Sequence, residues 1–452
     1  MLDRLILKNF KSWPKADLEF GRITGLFGTN SSGKSSLIQF LLLLKQTKDG
    51  TDRGVSLDLS GPHVNLGVYR DMIHKNDEEL PLSWSLAIEM DRDIALVDPS
   101  GKPGETISRS SNLLVSSEIR VRRQRPMTTR LSYRLGDVTF SLASKDDSVG
   151  KFDLTVSGTD FRFIRTKGRA WQLPGPVKSY AFPDQARTYF QNASFLSDIE
   201  ASYEEQIDKI FYLGPLRVFP QRDYLWARSK PQGVGDRGEN TIDAIIAATT
   251  AGEKRNVKHK SRLRPFQGMI AYWLREMGLI HGFEVEEIAK NSNRWQARVE
   301  VRKGGTKALL TDVGFGVSQV LPVVTLLQYV PEGSTVILEQ PELHLHPLAQ
   351  ANLADVIINA ATHRRIQVIL ESHSEHLLLR LQRRIAEQKI PSDDIKLYFC
   401  NSPGGISILE PLDLDLLGQI NNWPLNFMGD AFGETYAAEK ARLERMKLDA
   451  AE

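Results

Sequence analysis

The sequence has a single cysteine, Cys400, among 452 residues. It can therefore form no intrachain disulfide and no zinc site built on several cysteines, and we expect a reducing, cytoplasmic setting. The first residues alternate as a strand does and lack the apolar run of a secretory signal. The leucine-rich run at residues 37–44 is far too short to cross a bilayer, so we expect no membrane contact.

Other features are absent as well. No stretch sustains the apolar heptads of a long coiled coil, and neither internal repeats nor low-complexity tracts occur. Lys and Arg number 58 and Asp and Glu 56, a net charge of +2. This balance argues against a protein that coats nucleic acid, so a basic site must be local. A hydrophobic fraction of 41% and a charged fraction of 25% are typical of a globular protein.

Residues 28–35, Gly-Thr-Asn-Ser-Ser-Gly-Lys-Ser, match every position of the phosphate-binding loop G-x-x-x-x-G-K-[ST]. Residues 22–27 before it are typical of a buried strand, and residues 36–44 after it of a helix. A chance match of a glycine-rich turn is the alternative, and this context argues against it. The residues expected to bind a nucleoside triphosphate are Gly28, Asn30, Ser31, Ser32, Gly33, Lys34, Ser35 and Ser36. Lys34 would reach the β- and γ-phosphates and Ser35 would bind Mg²⁺.

Periodicity divides the chain into regions of different character. Alternation with period two dominates from about residue 82 to 170, with residues 130–141 predicted as one strand, and helical patterns follow to about 280. From 311 onward strands and helices alternate. The predicted units are an N-terminal lobe with the phosphate loop (1–80), an antiparallel β-subdomain (81–184), a helical insertion (185–283) and a C-terminal lobe (284–452).

Three motifs in the C-terminal lobe could complete a nucleotide site. The apolar strand 334–339 ends in Glu339, and a carboxylate at the tip of a buried strand is where phosphate-loop enzymes hold the second shell of Mg²⁺. A second strand, residues 367–371, leads into Ser-His-Ser with His373 at its centre. A glycine-rich loop, residues 311–319, opens an apolar helix.

Taken in order, these motifs resemble a known family. They are Leu-Lys-Asn-Phe-Lys-Ser near the N-terminus, the phosphate loop, a long insertion, Gly-x-Gly-x-Ser-Gln, a strand followed by Glu-Gln-Pro-Glu-Leu-His-Leu-His-Pro, and a strand followed by Ser-His-Ser. The chain resembles the ABC-class AAA ATPases related to RecF, SMC and OLD proteins, most specifically over residues 1–45 and 311–380. Within that class it is similar to compact bacterial ATPases, many of them encoded beside nucleases in phage-defence operons.

The resemblance implies an α/β fold, an ABC-type P-loop ATPase head with an antiparallel β-subdomain and a helical insertion. It also implies a homodimer or higher homo-oligomer in which ATP and Mg²⁺ lie between two heads. Ser318 with Gly316 would then contact the γ-phosphate held by the other head. Glu339 would serve with Ser35 on the Mg²⁺ side, and His373 would be the switch histidine that senses the γ-phosphate.

Gln340 departs from the family pattern, because most relatives carry a carboxylate at this position. An amide cannot act as a general base, although a glutamine can position an attacking water. Glu342, two residues on, could supply the missing carboxylate, or the enzyme could hydrolyse ATP slowly and persist as an ATP-closed dimer. We favour slow hydrolysis.

Two groups of residues could form a functional site, but each also has a purely structural explanation. Glu342, His344 and His346 look rich in metal ligands, but we expect the histidines to cap the following helix near the dimer interface.

A dense basic cluster could contact nucleic acid or an acidic partner, or be a solvated face. It lacks interleaved aromatic residues, so base stacking is not indicated. Its members are Lys254, Arg255, Lys258, Lys260, Arg262 and Arg264.

The sequence carries no pattern of a Toprim or His-Asn-His nuclease. The first functional hypothesis is therefore an ATP-driven sensor or scaffold of an antiviral defence system that controls a separate effector, expected to be a nuclease. A second hypothesis is a RecF-type repair ATPase that acts on DNA directly. A third, which rests on Gln340, is a nucleotide-gated assembly protein that does not hydrolyse ATP.

Overall fold

The computed structural model describes residues 1–102, 104–122, 125–145, 150–168, 172–257, 260–290, 292–424, 436–442 and 445. Its strands are β1 (Leu2–Phe10), β2 (Trp13–Glu19), β3 (Ile23–Gly28), β4 (Leu82–Val97), β5 (Thr106–Arg122), β6 (Arg125–Leu135), β7 (Val138–Ser144), β8 (Phe152–Ser157), β9 (Ile210–Leu213), β10 (Tyr224–Leu225), β11 (Lys254–Arg255), β12 (Arg264–Pro265), β13 (Gly282–Glu287), β14 (Arg294–Glu300), β15 (Lys307–Leu309), β16 (Thr335–Glu339), β17 (Gln367–Glu371), β18 (Ile395–Asn401) and β19 (Ile408–Pro411).

The helices alternate with these strands along the chain. They are α1 (Lys34–Asp49), α2 (Tyr69–Met72), α3 (Asp184–Tyr189), α4 (Leu196–Asp208), α5 (Thr241–Thr250), α6 (Phe266–Glu276), α7 (Phe315–Tyr329), α8 (Pro347–His363) and α9 (Glu375–Ala386). Within the described ranges, no helix combines the length and the apolar character that a bilayer-spanning segment needs.

A six-stranded sheet forms the centre, in the order β19-β18-β3-β17-β16-β9. All its pairs are parallel except β18 with β19. Strand β17 therefore separates the phosphate-loop strand β3 from β16. Because the carboxyl ends of parallel strands meet at one edge of a sheet, the residues that follow β3, β16 and β17 are brought together there.

The central sheet is buried on both faces, as parallel sheets are. Along β16, Val336 and Leu338 pack into one apolar core with helices α5 to α8, while Ile337 packs into a second core with α1 and α4. The second core also takes the inner face of a seven-stranded antiparallel sheet, ordered β2-β1-β4-β5-β6-β7-β8. The mixed α/β architecture with an antiparallel subdomain confirms the predicted fold class.

The structure differs from the periodicity analysis at two places. Residues 130–141, predicted as one strand, are a hairpin of β6 and β7. The chain reverses at Gly136, whose positive φ of 58° suits a tight turn. The segment at residues 210–213 lies in the region predicted as helical, but it forms β9, the edge strand that pairs with β16 in the central sheet.

Candidate functional site

A cavity of about 420 Å³ opens at the carboxyl ends of β3 and β17. Most of the predicted nucleotide-binding residues surround it together with three residues from the C-terminal lobe. The lining residues are Ser12, Asn30, Ser31, Ser32, Gly33, Lys34, Ser35, Ser36, Gln340, Glu371 and His373. The structure therefore joins the two halves of the site that the sequence shows far apart.

Two glycines allow the phosphate loop its shape. Gly28 has a φ of 137°, and a side chain there would collide with the backbone of Cys400 on β18. Gly33 has a φ of 94°, and a Cβ atom would lie 2.8 Å from the indole nitrogen of Trp13. That indole also donates a hydrogen bond to the Gly33 carbonyl at 3.1 Å. Helix α1 begins immediately afterwards, so its first N–H groups and positive dipole end face the cavity.

The ammonium group of Lys34 lies within the loop. The side chain is buried, and Nζ donates to the carbonyl oxygens of Gly28 (3.1 Å) and Thr29 (2.7 Å). Burial lowers the pKa of Lys34, and the nearby carboxylate of Glu371 opposes this shift. A cation held by neutral carbonyls is well placed to exchange these partners for phosphate oxygens.

Glu371 is the carboxylate that contacts the phosphate loop. The Ser35 hydroxyl donates to Oε2 of Glu371 at 2.8 Å. Glu339, which the sequence analysis selects for the Mg²⁺ side, lies opposite Glu371 on the next strand and accepts from the Tyr212 hydroxyl at 2.9 Å. Glu371 is not among the site residues predicted from the sequence, although residues 336–339 and 368–371 both read Val-Ile-Leu-Glu and so carry a signal for two equivalent carboxylates.

The pKa values of both neighbouring carboxylates are raised. Burial, and secondarily the charge of Glu371, raise the pKa of Glu339 to about 7, while the Tyr212 hydroxyl opposes the shift. Burial also raises the pKa of Glu371, against the stabilising hydrogen bond from Ser35 and the charge of Lys34. At neutral pH the pair is therefore only partly ionised, and a divalent cation beside it would favour the ionised form.

Gln340 is held in an uncommon backbone conformation at the cavity wall. Its φ is 45°, and its N–H donates to the Glu371 carbonyl at 2.8 Å. The buried Arg217 donates to the carbonyls of Glu339 and Gln340 (both 3.2 Å) and of Gln319 on α7 (3.1 Å). Burial lowers the pKa of Arg217 to about 10, so the guanidinium keeps its charge at neutral pH. Arg217 thus ties the end of β16 to helix α7.

Glu342 does not line the cavity but fixes the loop that carries His373. Only 7% exposed, it accepts the Ser372 hydroxyl (2.7 Å) and the His373 N–H (2.8 Å) on one carboxylate oxygen. Burial raises the pKa of Glu342, and these two hydrogen bonds oppose the shift. The His373 ring lines the cavity, and burial together with the charge of Lys34 lowers the pKa of His373. The imidazole is therefore neutral at pH 7 and able to accept or donate one hydrogen bond.

The glycine-serine motif lies at the start of α7. The Ser318 hydroxyl donates to the Phe315 carbonyl at 2.8 Å. A Cβ atom on Gly316 would lie 3.0 Å from the His344 carbonyl, and the rings of Phe315 and His344 meet at 4.9 Å. Neither Gly316 nor Ser318 lines the phosphate-loop cavity of the same chain.

Of the two histidines predicted to cap the following helix, His346 does so, since its ring nitrogen accepts the Leu348 N–H at 3.4 Å, whereas the His344 ring contacts Phe315 instead. In the part of the chain that the structure describes, no cluster of three or more His, Cys, Asp or Glu side chains could hold a metal ion. The alternative of a dedicated site at Glu342, His344 and His346 thus gains no support.

Two arginines of the predicted basic cluster contact other residues of the chain, and three other members are exposed to solvent. Arg255 donates to the Gln328 carbonyl at the end of α7 and to Glu253, and Arg264 stacks on Tyr272 at 4.7 Å. Lys254, Lys260 and Arg262 are exposed. Lys258 lies outside the described residues.

Two protein-family models match parts of the chain. Residues 97–380 match the family described as "AAA domain, putative AbiEii toxin, Type IV TA system", and residues 390–437 match "Protein of unknown function (DUF3696)". The comparison with curated proteins gives no significant match.

Among solved structures, the chain is similar to heads of SMC proteins. One, "Crystal structure of the SmcHead bound to the C-winged helix domain of ScpA", is 13% identical, with 92% of this chain and 98% of that chain covered and a TM-score of 0.47. The "SMC head domain from Thermotoga maritima" is 13% identical, with coverage of 91% and 99% and a TM-score of 0.42. An SMC head bound to the C-terminal domain of ScpA, derived from Pyrococcus furiosus, is 10% identical, with coverage of 91% and 96% and a TM-score of 0.45.

The first family match covers well over half of the 452 residues and includes both β16 and β17 with the loops that follow them. The chain therefore belongs to this AAA-domain family.

Proposed function

We propose that the chain binds ATP with Mg²⁺ in the phosphate-loop cavity and that a second copy completes the site. One observation carries this proposal. The phosphate loop, Gln340 and His373 line a single cavity, whereas Gly316 and Ser318 stand outside it at the start of α7. If this motif contacts the γ-phosphate, as the resemblance to ABC-class ATPases implies, it must come from another chain.

The oxygen ligands around the loop suit Mg²⁺. Ser35, Glu339 and Glu371 offer a hydroxyl and two carboxylates, the hard oxygen donors that this ion prefers together with phosphates and water. When bound, Mg²⁺ would neutralise charge on the phosphates. Ser35, Glu339 and Glu371 would hold it in place.

We further propose that hydrolysis is slow. Gln340 occupies the cavity wall where a general base would stand, and its amide cannot take up a proton. Glu342 cannot easily replace it, because it does not line the cavity and one of its carboxylate oxygens holds Ser372 and the His373 loop in place. Glu371 is engaged by Ser35. Slow turnover would let the ATP-bound dimer persist and act as a switch.

The role that fits such a switch is control of a separate effector, a nuclease, in a bacterial anti-phage defence system. Two observations support it. The family description refers to a toxin of a type IV toxin–antitoxin system, and the sequence carries no nuclease pattern of its own.

The test is light scattering of the purified chain with ATP, with ADP and without nucleotide. We expect a mass doubling with ATP alone. Lys34→Ala should abolish ATP binding and doubling together. Ser318→Arg should bind ATP and stay monomeric, because it places a large cation at the proposed interface. Val97→Arg, at an exposed position on the far end of β4, is the matched control and should dimerise normally. A wild-type chain that binds ATP without any change in mass would refute the two-copy site.

A further inference from the structure

A second cavity, of about 1110 Å³, opens at the edge of the central sheet opposite the phosphate loop. Lys209, Ser334 and Arg364 line it, and they stand shortly before β9, β16 and β17 respectively. These strands are parallel, so their amino ends meet there, whereas the phosphate loop follows the carboxyl end of β3. The two cavities share no lining residue, so a ligand in the second cavity would not compete directly with ATP.

The second cavity contacts the far ends of two helices whose first turns carry nucleotide-site motifs. Lys45 and Lys48 line it from the end of α1, which begins at the phosphate loop. Tyr329 lines it at the end of α7, which begins at the glycine-serine motif. At a rise of about 1.5 Å per residue, Lys34 and Lys45 lie about 16 Å apart along the axis of α1.

Basic side chains outnumber acidic ones in the wall of the second cavity. Seven lysines and arginines and five aspartates and glutamates line it, an excess of two positive charges. Four of the carboxylates already have partners in the same wall, and the pairs are Asp49 and Asp208 with Lys48, Glu205 with Lys209, and Glu253 with both Lys230 and Arg255. The fifth carboxylate, Glu332, is exposed. Within the described ranges, Lys45, Lys254 and Arg364 are the cations of this wall that lack a carboxylate partner.

Lys45 is half-buried, and in the part of the chain that the structure describes its ammonium group forms neither a hydrogen bond nor an ion pair. Burial lowers the pKa of Lys45, and the charges of Asp49 and Asp208 partly oppose this shift. Both carboxylates are bound to Lys48 instead. Withdrawing a charged group from water without a partner costs free energy, and an anion bound at Lys45 would offset that cost.

Arg364 supplies a second, buried cation. Its guanidinium donates to the carbonyls of Leu327 and Val330 at the end of α7, both at 2.7 Å. A guanidinium has five N–H donors, so these two bonds leave others for a ligand. Burial, and secondarily the charge of Arg255, lower the pKa of Arg364 to about 10, so it stays charged at neutral pH. Arginine and lysine are the side chains that most often bind phosphate oxygens.

Apolar side chains form another part of the wall. Leu263 is 57% exposed, and Phe211 is half-buried. The ring of Tyr329 lies beside them, with its hydroxyl bound to the Pro231 carbonyl at 2.7 Å. Apolar surface with a few polar or charged groups is typical of small-molecule sites. A bare inorganic anion would leave this surface in water, whereas an organic anion with a ring would cover it.

We propose that the second cavity binds an organic phosphate monoester of nucleotide size, a nucleoside monophosphate in chemical class. Lys45, Lys254 and Arg364 would bind its phosphate, and the apolar wall would hold its ring. A phosphate monoester carries about two negative charges at neutral pH, which matches the excess of two positive charges in the wall. Because the ends of α1 and α7 both contact the cavity, the ligand is placed to influence both helices that carry nucleotide-site motifs.

Calorimetric titration of AMP into the full chain tests this proposal. AMP lacks the β- and γ-phosphates that the lysine of a phosphate loop contacts, so Lys34→Ala should bind one AMP as tightly as the wild-type chain. Lys45→Ala with Lys254→Ala should weaken AMP binding at least about tenfold, because charged hydrogen bonds to the phosphate are lost. Lys8→Ala with Lys303→Ala removes two exposed lysines that do not line the cavity, and this matched control should bind AMP normally.

Inorganic phosphate and adenosine each supply one half of the ligand and should both bind at least about tenfold more weakly than AMP. Equal binding of either one would overturn the assignment to an organic phosphate. Loss of AMP binding in Lys34→Ala would place AMP at the phosphate loop and overturn the second site, and so would unchanged binding after removal of Lys45 and Lys254. ATP-dependent doubling in mass, measured on the wild-type chain without AMP, reports on the proposed function separately. Unchanged urea unfolding of the double variants would show that they fold.

Discussion

Glu339→Gln should make the nucleotide-free protein more stable while it impairs the site. The carboxyl of Glu339 is buried beside Glu371, and its pKa is raised from 4.5 to about 7. A glutamine is neutral like the protonated acid, and its oxygen can still accept the hydroxyl of Tyr212, which now lies 2.9 Å from Oε1. The substitution therefore removes the free-energy cost of ionising a buried group and keeps the contact.

The magnitude follows from the pKa difference between folded and unfolded chains. The folded pKa of about 7 lies above the ordinary value of 4.5, so the native state binds this proton more tightly than the unfolded chain does. The contribution of Glu339 to the stability of the native state is therefore fully present below pH 4.5 and is lost as the pH rises towards 7. At about 1.4 kcal/mol per unit, the loss at pH 8 is about 3 kcal/mol and at pH 5 about 1 kcal/mol. Glu339→Gln should recover these amounts.

Urea unfolding at pH 5 and pH 8 without nucleotide or Mg²⁺ measures the difference. Glu276→Gln, at an exposed helix end, is the control and should change stability by less than about 0.5 kcal/mol at either pH. A Glu339→Gln variant that gains nothing, or gains equally at both pH values, would refute the reasoning. The same variant should bind ATP less well in the presence of Mg²⁺, because it has lost one oxygen ligand with charge.

Three further changes test individual contacts. Gln340→Glu should raise the rate of ATP hydrolysis about tenfold or more in a phosphate-release assay, because general bases contribute about 10²-fold and upward; an unchanged or lower rate would argue against Gln340 as the cause of slow turnover. Arg217→Ala should lower stability by about 2–4 kcal/mol in urea unfolding, since three buried carbonyls lose a charged donor, whereas an equally stable variant would contradict the bridging role. Glu371→Gln should reduce Mg²⁺-dependent ATP affinity, measured by calorimetry, more than Mg²⁺-free affinity, and equal losses would exclude a metal-side role.

Local sequence predicted the phosphate loop closely because its chemistry is local. The strand predicted at 22–27 is β3, and the helix predicted from residue 36 is α1, which begins at Lys34. The loop can be predicted from its glycine spacing, the apolar strand before it and the position of its lysine, because each of these features acts within a few residues. The hairpin at residues 130–141 was also within reach, because Gly136 and Asp137 are strong turn residues.

The partner of Ser35 could not be predicted in this way. Two strands end in the same Val-Ile-Leu-Glu run, and only the strand order decides which carboxylate meets the loop. That order depends on pairing between segments more than 300 residues apart, as for Glu371 and Ser35. The contribution of Tyr212 is hidden for the same reason, because β9 joins the sheet only through β16.

Domain boundaries predicted at residues 80, 184 and 283 stay predictions, and the structure shows why a linear division is difficult. Strands β1 and β2 precede the phosphate loop in the chain, yet they extend the antiparallel sheet of β4 to β8. The N-terminal segment therefore belongs to both layers, and α1 packs between them against Phe10 and Trp84 through Phe40.

This shared layer couples the packing of helix α1 to that of the antiparallel sheet. A change in α1 that follows phosphate binding must be accommodated by Phe40, and the side chains that surround Phe40 come from the inner face of β1 and β4. Close-packed cores transmit such shifts because they have no space to absorb them. A nucleotide held by Lys34 would therefore change the packing of the antiparallel sheet as well as that of its own lobe.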